Sequence, residues 1–250
     1  MLKKYYYKLT IAYDGANYCG WQMQKNSPSI HEEMMKAGKS FLDEGFTVTG
    51  CSRTDSGVHA LNYAALLVTT KKMDVRRILG AYNAHLPRDI VLHDAQEVNE
   101  NFHPRYTSKN KHYRYTIFNN KYPIPQFMQF SHYCFMELDV EAMNVAAKAF
   151  VGTHDFIGFS SMKTTVKNTT RRIDLCEVAK NGNYIEIDII GKGFLYNMVR
   201  IIAGSLIEVG LGKIKPEDMA LILESKDRSK ARITAPAKGL TLVGLEYDDL

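Results

Sequence analysis

The chain has 250 residues, 45% of them apolar and 24% charged, with a net charge of +5. That length allows one large domain or two small ones sharing a core, and the balance excludes a disordered or collagen-like chain. No apolar run reaches the ~18 residues that cross a bilayer. The opening MLKKYYYKLTIAYDG alternates like a strand and lacks the small-residue cleavage site of a signal peptide. A soluble cytoplasmic protein is expected. The mild positive charge permits an acidic partner without requiring one.

Residues 5–13 place Tyr5, Tyr7, Leu9, Ile11 and Tyr13 on one face, which predicts a strand. A glycine-containing loop, DGANYCGWQMQ, follows. The next segment begins Ser-Pro and stops at Gly45, with Ile30, Met34, Ala37 and Phe41 at helical spacing, so it predicts an amphipathic helix. Residues 46–51 and 62–70 read as strands. Residues 74–85 read as a helix capped by Asp74 with Pro87 beyond its end, and residues 90–98 as a further strand.

A similar order returns after the polar stretch NENFHPRYTSKN. Residues 111–118 alternate Tyr113, Tyr115 and Ile117 against His112, Arg114 and Thr116, and residues 131–137 are a weaker strand candidate. Asp139 caps a helix ending near Gly152. Residues 171–180 and 184–190 form a hairpin through KNGN. Residues 194–209 predict an apolar helix closed by Gly210, residues 216–225 a short helix with Pro at its first turn, and residues 241–247 a last strand.

Many of these strands are adjacent in sequence, and parallel pairing would need long crossovers. The expected class is therefore α+β with mainly antiparallel sheets in two related halves, residues 1–105 and 106–250. The four cysteines form no C-x-x-C pair, and the eight histidines no metal-binding pattern, so reduced thiols and no metal site are expected.

The stretch CSRTDSGVHA carries the densest chemistry. Asp55 follows Arg53 by two residues and precedes Ser56 and Gly57, with His59 further on. One reading is an aspartate that caps a turn, since Asp before Ser-Gly suits turns. The other is an acid whose carboxylate Arg53 holds ionised as a nucleophile or base. Gly57 would then let backbone approach a substrate. His59 reads more readily as structural than as a site base. Asp-Ser-Gly also suggests an aspartic protease, but such enzymes need two such aspartates sharing a proton. No second D-[ST]-G exists here, and the nearby arginine would oppose the shared proton.

SRTDSGVHA resembles the signature of the tRNA pseudouridine synthase A family. YDGANYCGWQMQ, NAHLPRDI, FHPRYTSKNKHYRY, GFLYNMVRIIAGSLIEVG and APAKGLTLVGLEY resemble further family segments, in the family's order, across nearly the whole chain. The resemblance implies an isomerase, an intramolecular transferase that converts uridine to pseudouridine in tRNA without cofactor or metal. It implies two α+β halves whose sheets join into one continuous sheet, helices packed on one side, a central basic cleft, and a homodimer. The expected substrate positions are uridines 38, 39 and 40 of the anticodon stem-loop.

By the same resemblance Asp55 acts on the target nucleotide, either at the ribose C1′ or at the base, or by abstracting a proton. Arg53 helps extrude that nucleotide and takes its place, a task suited to a planar cation that stacks and binds phosphate. Tyr113 stacks on the target base and is a candidate base at C5, Arg200 pairs with the catalytic carboxylate, and Leu240 lines the pocket. Arg200 otherwise sits on an apolar helix, where an unpaired charge is costly. Phe102, His103, Arg105, Tyr106, Lys167 and Arg171 fall in segments expected to touch tRNA. Lys109, Lys111, Lys163, Arg172 and Lys192 extend a candidate basic lining. Trp21 is read as core.

The chain departs from the family pattern at Ser52, Ser56 and Pro104 and in the loop FSSMKTTVKNTT, residues 159–170. Ser52 and Ser56 are small, so the turn should survive. Rival readings are a related synthase acting on another RNA such as ribosomal RNA, and a non-catalytic RNA-binding paralogue.

Overall fold

The structure is a computed structural model that describes residues 3–161 and 166–248. The chain is α+β, and its strands pair mostly antiparallel. It forms two compact units, one of Met1–Lys109 with Leu242–Leu250 and the other of Asn110–Thr241.

In the first unit, β1 (Tyr5–Tyr13) lies between β3 (His59–Thr69) and β4 (Ile90–Val98), antiparallel to both. β2 (Thr47–Gly50) pairs antiparallel with β3, Thr47 opposite Val68. The period-2 pattern of β1 is realised as read: Tyr7, Leu9 and Ile11 are fully buried, with Leu9 opposite Ala65 and Tyr7 opposite Leu67. Each such buried side chain contributes roughly 1.5–3 kcal/mol. Helix α1 (Ile30–Lys39) packs on β2, and α2 (Val75–His85) on β4.

Both helices begin where their caps lie. Ser29 accepts from the Glu32 amide and Asp74 from the Arg76 amide. Helix α1 ends at Lys39, sooner than the apolar spacing suggested, because Phe41 and Leu42 both turn their amides to the Gly38 carbonyl. Phe41 instead packs edge-on against Tyr82 of α2.

In the second unit, β5 (Ser108–Asn119) runs antiparallel to β9 (Tyr184–Gly191), which pairs with β8 (Thr170–Asn181) and through it with β7 (Gly152–Asp155). The short β6 (His132–Cys134) joins β5 in parallel. Tyr113, Tyr115 and Ile117 are buried on one face of β5. On the other face Arg114 donates from Nε (2.9 Å) and Nη2 (3.0 Å) to the two Asp188 carboxylate oxygens. Helix α3 (Val140–Ala147) packs on β8 and on α4 (Met198–Gly210), while α5 (Asp218–Glu224) packs beside α3. The last strand, β10 (Leu240–Tyr247), runs from the second unit into the first.

Helix α4 differs from expectation at its start. It starts at Met198 because Asn197 adopts a left-handed φ of 61°, so the apolar run before it is not helical. It ends at Gly210, close to where the sequence placed its stop, and that glycine is buried. A Cβ there would lie 2.7 Å from Met143 Sδ. The glycine serves helix contact, and the left-handed exit falls at Gly212, φ 70°.

Candidate active site

The aspartate segment connects β2 to β3 in the first unit. The Val58 amide donates to the Asp55 carbonyl (3.2 Å), closing a turn with Gly57 at the position that needs positive φ (77°). Asp55 is half-buried at the head of this turn. Thr54, beside it, is buried. Its Oγ1 accepts from the Trp21 amide (3.1 Å) and bonds the Tyr13 hydroxyl (3.0 Å).

A second loop, residues 14–29, braces the first. Two of its glycines sit against the aspartate loop without room for a side chain. A Cβ on Gly15 would lie 2.0 Å from the Val58 carbonyl oxygen, and one on Gly20, φ 99°, 2.1 Å from that of Thr54. The Ser56 hydroxyl and the Gly57 amide both donate to the Tyr18 carbonyl (3.2 Å each). Ser56 therefore adds a hydrogen bond that an alanine could not make. Ser52 is also accommodated, its carbonyl accepting from the Tyr63 hydroxyl (2.5 Å). His59 is buried and its Nδ1 accepts from the Gly15 amide (3.0 Å), so it ties the two loops together in a structural role.

The Thr54 hydroxyl is thus the fastener between Asp55 and both neighbouring elements. Thr54→Val keeps the shape but leaves the Trp21 amide and Tyr13 hydroxyl without that partner. A loss of about 2 kcal/mol is expected, measured by urea unfolding, with kcat falling more than KM changes.

Arg53 is exposed and forms no ion pair among the described residues. The reading in which Arg53 holds the Asp55 carboxylate thus has no ion pair behind it among the described residues. Arg53 and Arg105 line one pocket of about 290 Å³ together with Trp21, Gln22, His31 and Thr49. Trp21 is core, as expected, stacked on Tyr63 (4.2 Å between centroids) and His31 (5.6 Å). Burial lowers the His31 pKa, which keeps its ring neutral at pH 7. Gln22, His31 and Thr49 were missed by sequence reasoning. They come from three separate segments, and no local pattern joins them.

The turn at residues 102–106 also belongs to the first unit. Phe102 is buried against Tyr247 (5.3 Å), so its ring anchors the turn. The Tyr247 hydroxyl donates to the Pro104 carbonyl (2.7 Å). His103 packs on Tyr106 (4.3 Å), whose side chain is exposed, and the Arg105 guanidinium lies 5.8 Å from the Tyr106 ring centre.

In the second unit, Tyr113 is buried on β5 with Phe194 edge-on to it (5.3 Å, 86°). Arg200 lies in the first turn of α4, where the helix dipole disfavours a cation. Its Nε donates to the Ala235 carbonyl (2.8 Å) and its Nη1 to Asn197 Oδ1 (3.0 Å). The left-handed Asn197 that delays α4 thus helps hold Arg200. Burial raises the Tyr115 pKa, with the Arg200 charge opposing part of that rise. The Tyr115 hydroxyl donates to the Pro236 carbonyl (3.0 Å), fixing the segment that leads into the buried Leu240.

Lys167 and Lys192 are exposed, and Arg171 spends Nη1 on the carbonyls of Asn168 (3.0 Å) and Thr170 (2.6 Å). Other members of the expected basic lining are engaged: Lys109 with Asp248 (2.5 Å) and Arg172 with Asp174 (2.6 Å). Lys111 is buried. Lys163 lies outside the described residues. Among the described residues no group of three or more His, Cys, Asp or Glu side chains is placed to hold a metal ion. No helix among the described residues is long and apolar enough to cross a membrane.

A carboxylate mounted on a braced turn, with an uncommitted guanidinium two residues before it, is an arrangement suited to acting on an anionic substrate. Known proteins specify the class. A family model described as tRNA pseudouridine synthase matches residues 9–107 and 146–248. Proteins named tRNA pseudouridine synthase A from Thermoanaerobacter sp. (strain X514) and Acetivibrio thermocellus are each 43% identical to this chain, and one from Ruminiclostridium cellulolyticum is 46% identical. Each match covers 96% of this chain and 98% of the relative. The chain belongs to the tRNA pseudouridine synthase family, and it is an isomerase. Arg53, Asp55, Arg200 and Leu240 fall within the matched stretches, whereas Tyr113 lies between them.

Proposed function

We infer that this protein isomerises uridine to pseudouridine in tRNA, at positions 38, 39 and 40 of the anticodon stem-loop, as a cytoplasmic homodimer using no metal or cofactor. The observation that carries the reading is the braced turn presenting Asp55, in a chain that matches tRNA pseudouridine synthases over nearly its full length. The reaction breaks the N1–C1′ glycosidic bond and forms a C5–C1′ bond. The C5 hydrogen leaves as a proton, and N1 gains one, so atoms balance without an external oxidant or reductant.

In this reading Asp55 acts on the target nucleotide, and Arg53, Tyr113 and Arg200 complete the catalytic set. Leu240, Phe102, His103, Arg105, Tyr106, Lys167 and Arg171 serve substrate binding. The exposure of Arg53 supports its role in extrusion, because a guanidinium without a protein carboxylate partner is available to stack and to meet phosphate.

Tritium release from unmodified tRNA transcripts carrying 5-tritiated uridine tests the reaction, and mapping the product tests the positions. Release with pseudouridine at 38–40 is the expected result. Release only from ribosomal RNA would replace the substrate assignment, and none from any RNA would remove the activity. Sedimentation equilibrium should show two 28.4 kDa chains. Arg53→Ala should slow single-turnover isomerisation at saturating RNA by about 10²-fold or more while weakening binding far less. A defect confined to affinity would contradict the extrusion role.

A further inference from the structure

Asp55 is not among the walls of the pocket that Arg53 lines, and the reaction as described gives no task to its Trp21, Gln22, His31 and Thr49 walls. Its walls come from three parts of the first unit: the loop at Trp21 and Gln22, the start of α1 at His31, and β2 at Thr49. Arg53 and Arg105 complete it, both exposed and both outside any ion pair among the described residues. At about 290 Å³ it sits at the small end of ligand pockets, which run ~300–1,000 Å³.

Its lining chemistry narrows the occupant. Two fixed cations favour an anion, and guanidinium planes both stack on bases and bind phosphate through paired N–H groups. The Gln22 amide and Thr49 hydroxyl supply neutral donors and acceptors of the kind that read a base edge. His31 adds no charge, since burial keeps it neutral at pH 7. The Trp21 ring faces are covered by Tyr63 and His31, so it forms a stiff wall rather than a stacking platform. An acidic peptide would find no cation beyond the two arginines in this lining, while a nucleotide uses the cations, the flat guanidinium surfaces and the polar edge together.

Position along the chain sets which nucleotide. Two residue steps separate Arg53 from Asp55, a reach of at most ~7 Å. An occupant at the end of the Arg53 side chain is therefore near whatever Asp55 contacts, at a remove set by the length of that side chain. We propose that this pocket is a second nucleotide subsite, which receives the nucleotide next to the reacting uridine in the same RNA, its phosphate held by Arg53 and Arg105 and its base edge met by Gln22 and Thr49. The proposal rests on the RNA-modifying reading above and adds a specificity determinant to it.

The subsite would make affinity depend on the neighbour of the target without changing the chemical step. Thr49→Phe should fill it from an exposed strand position, and Gln22→Ala should remove one polar edge without adding bulk. The test uses the full chain and anticodon stem-loop RNAs with 4-thiouridine at single positions. Each is photo-crosslinked and the attached peptide identified, and binding and single-turnover isomerisation are measured on the same samples. Trp21 is the chain's only tryptophan, so its fluorescence reports on the pocket wall directly.

The expected result is crosslinking from the position next to the isomerised uridine to the peptide containing Trp21 and Gln22. Thr49→Phe should weaken stem-loop binding about tenfold, the scale of one lost base contact, with the saturating rate nearly unchanged. Gln22→Ala should shift binding in the same direction by less. Crosslinks to this peptide only from the isomerised uridine, or unchanged affinity in Thr49→Phe, would overturn the subsite while wild-type isomerisation kept the enzymatic reading intact. If inorganic phosphate alone perturbed Trp21 and displaced the RNA as effectively as uridine monophosphate, the pocket would be an anion site and the nucleotide assignment would fall. If wild type isomerised no RNA, the enzymatic reading would fail, and absence of the crosslink would then remove the subsite as well.

Discussion

Asp55→Asn is expected to lower the rate of uridine isomerisation by roughly 10⁴-fold or more, the order of loss when a reacting group is removed from an enzyme. The substitution is nearly isosteric. The turn it heads is closed by backbone groups, from the Val58 amide to the Asp55 carbonyl, and held by Thr54, Ser56 and Gly57. None of those bonds uses the Asp55 carboxylate, so the loop should keep its conformation. RNA affinity should persist or rise, because binding to a polyanion is dominated by phosphate contacts and the mutation removes a negative charge. Tritium release and filter binding on the same preparation separate the two effects. Turnover near the wild-type rate would take Asp55 out of the reaction.

The second large effect is expected at Gly20, a residue that contributes no side chain. Its φ of 99° is a conformation that L side chains rarely adopt, and a Cβ there would lie 2.1 Å from the Thr54 carbonyl oxygen. The left-handed conformation alone costs about 1–2 kcal/mol for a non-glycine residue. The clash adds to this, because the atom it meets is backbone and cannot rotate away. Gly20→Ala should therefore destabilise the protein by roughly 3 kcal/mol or more, a Tm loss of about 6–12 °C for a chain of this size. What remains folded should turn over slowly, since displacing the Thr54 carbonyl displaces Asp55, and misplacement by about 1 Å can cost 10²-fold. Calorimetry and single-turnover kinetics below the transition measure the two parts. Wild-type stability in Gly20→Ala would show that the two loops do not brace each other.

Much of the local structure was legible because short-range physics governs it. The alternation of β1 matched the observed strand to the residue, since a strand with one buried face must repeat every second position, and the strand read at residues 90–98 also has the observed bounds. Asp74 marked the start of α2 because an aspartate there satisfies an amide that the helix leaves unpaired. The reading was less exact where an apolar run said nothing about backbone. The stretch before Met198 is as apolar as the helix after it, and the left-handed Asn197 that divides them shows no periodicity. Gly210 ends α4 as the sequence suggested, but that it is also a contact glycine depends on Met143 in a different helix.

The candidate site divides along the same line. The sequence by itself determined the family, through six ordered segments, and it marked Asp55 and Arg53 because catalysis demands particular residue types at short spacing. Tertiary structure alone decided that Arg53 faces a pocket rather than pairing with Asp55, that Gly15 and Gly20 hold the aspartate loop, and that Arg105 meets Arg53 there. It also decided that residues from Leu242 onward join the first unit. The physical reason is range. Caps, turns and alternation are settled by atoms within a few residues of each other, whereas a pocket wall or a glycine contact depends on which distant segment packing brings alongside, and no local pattern records that choice.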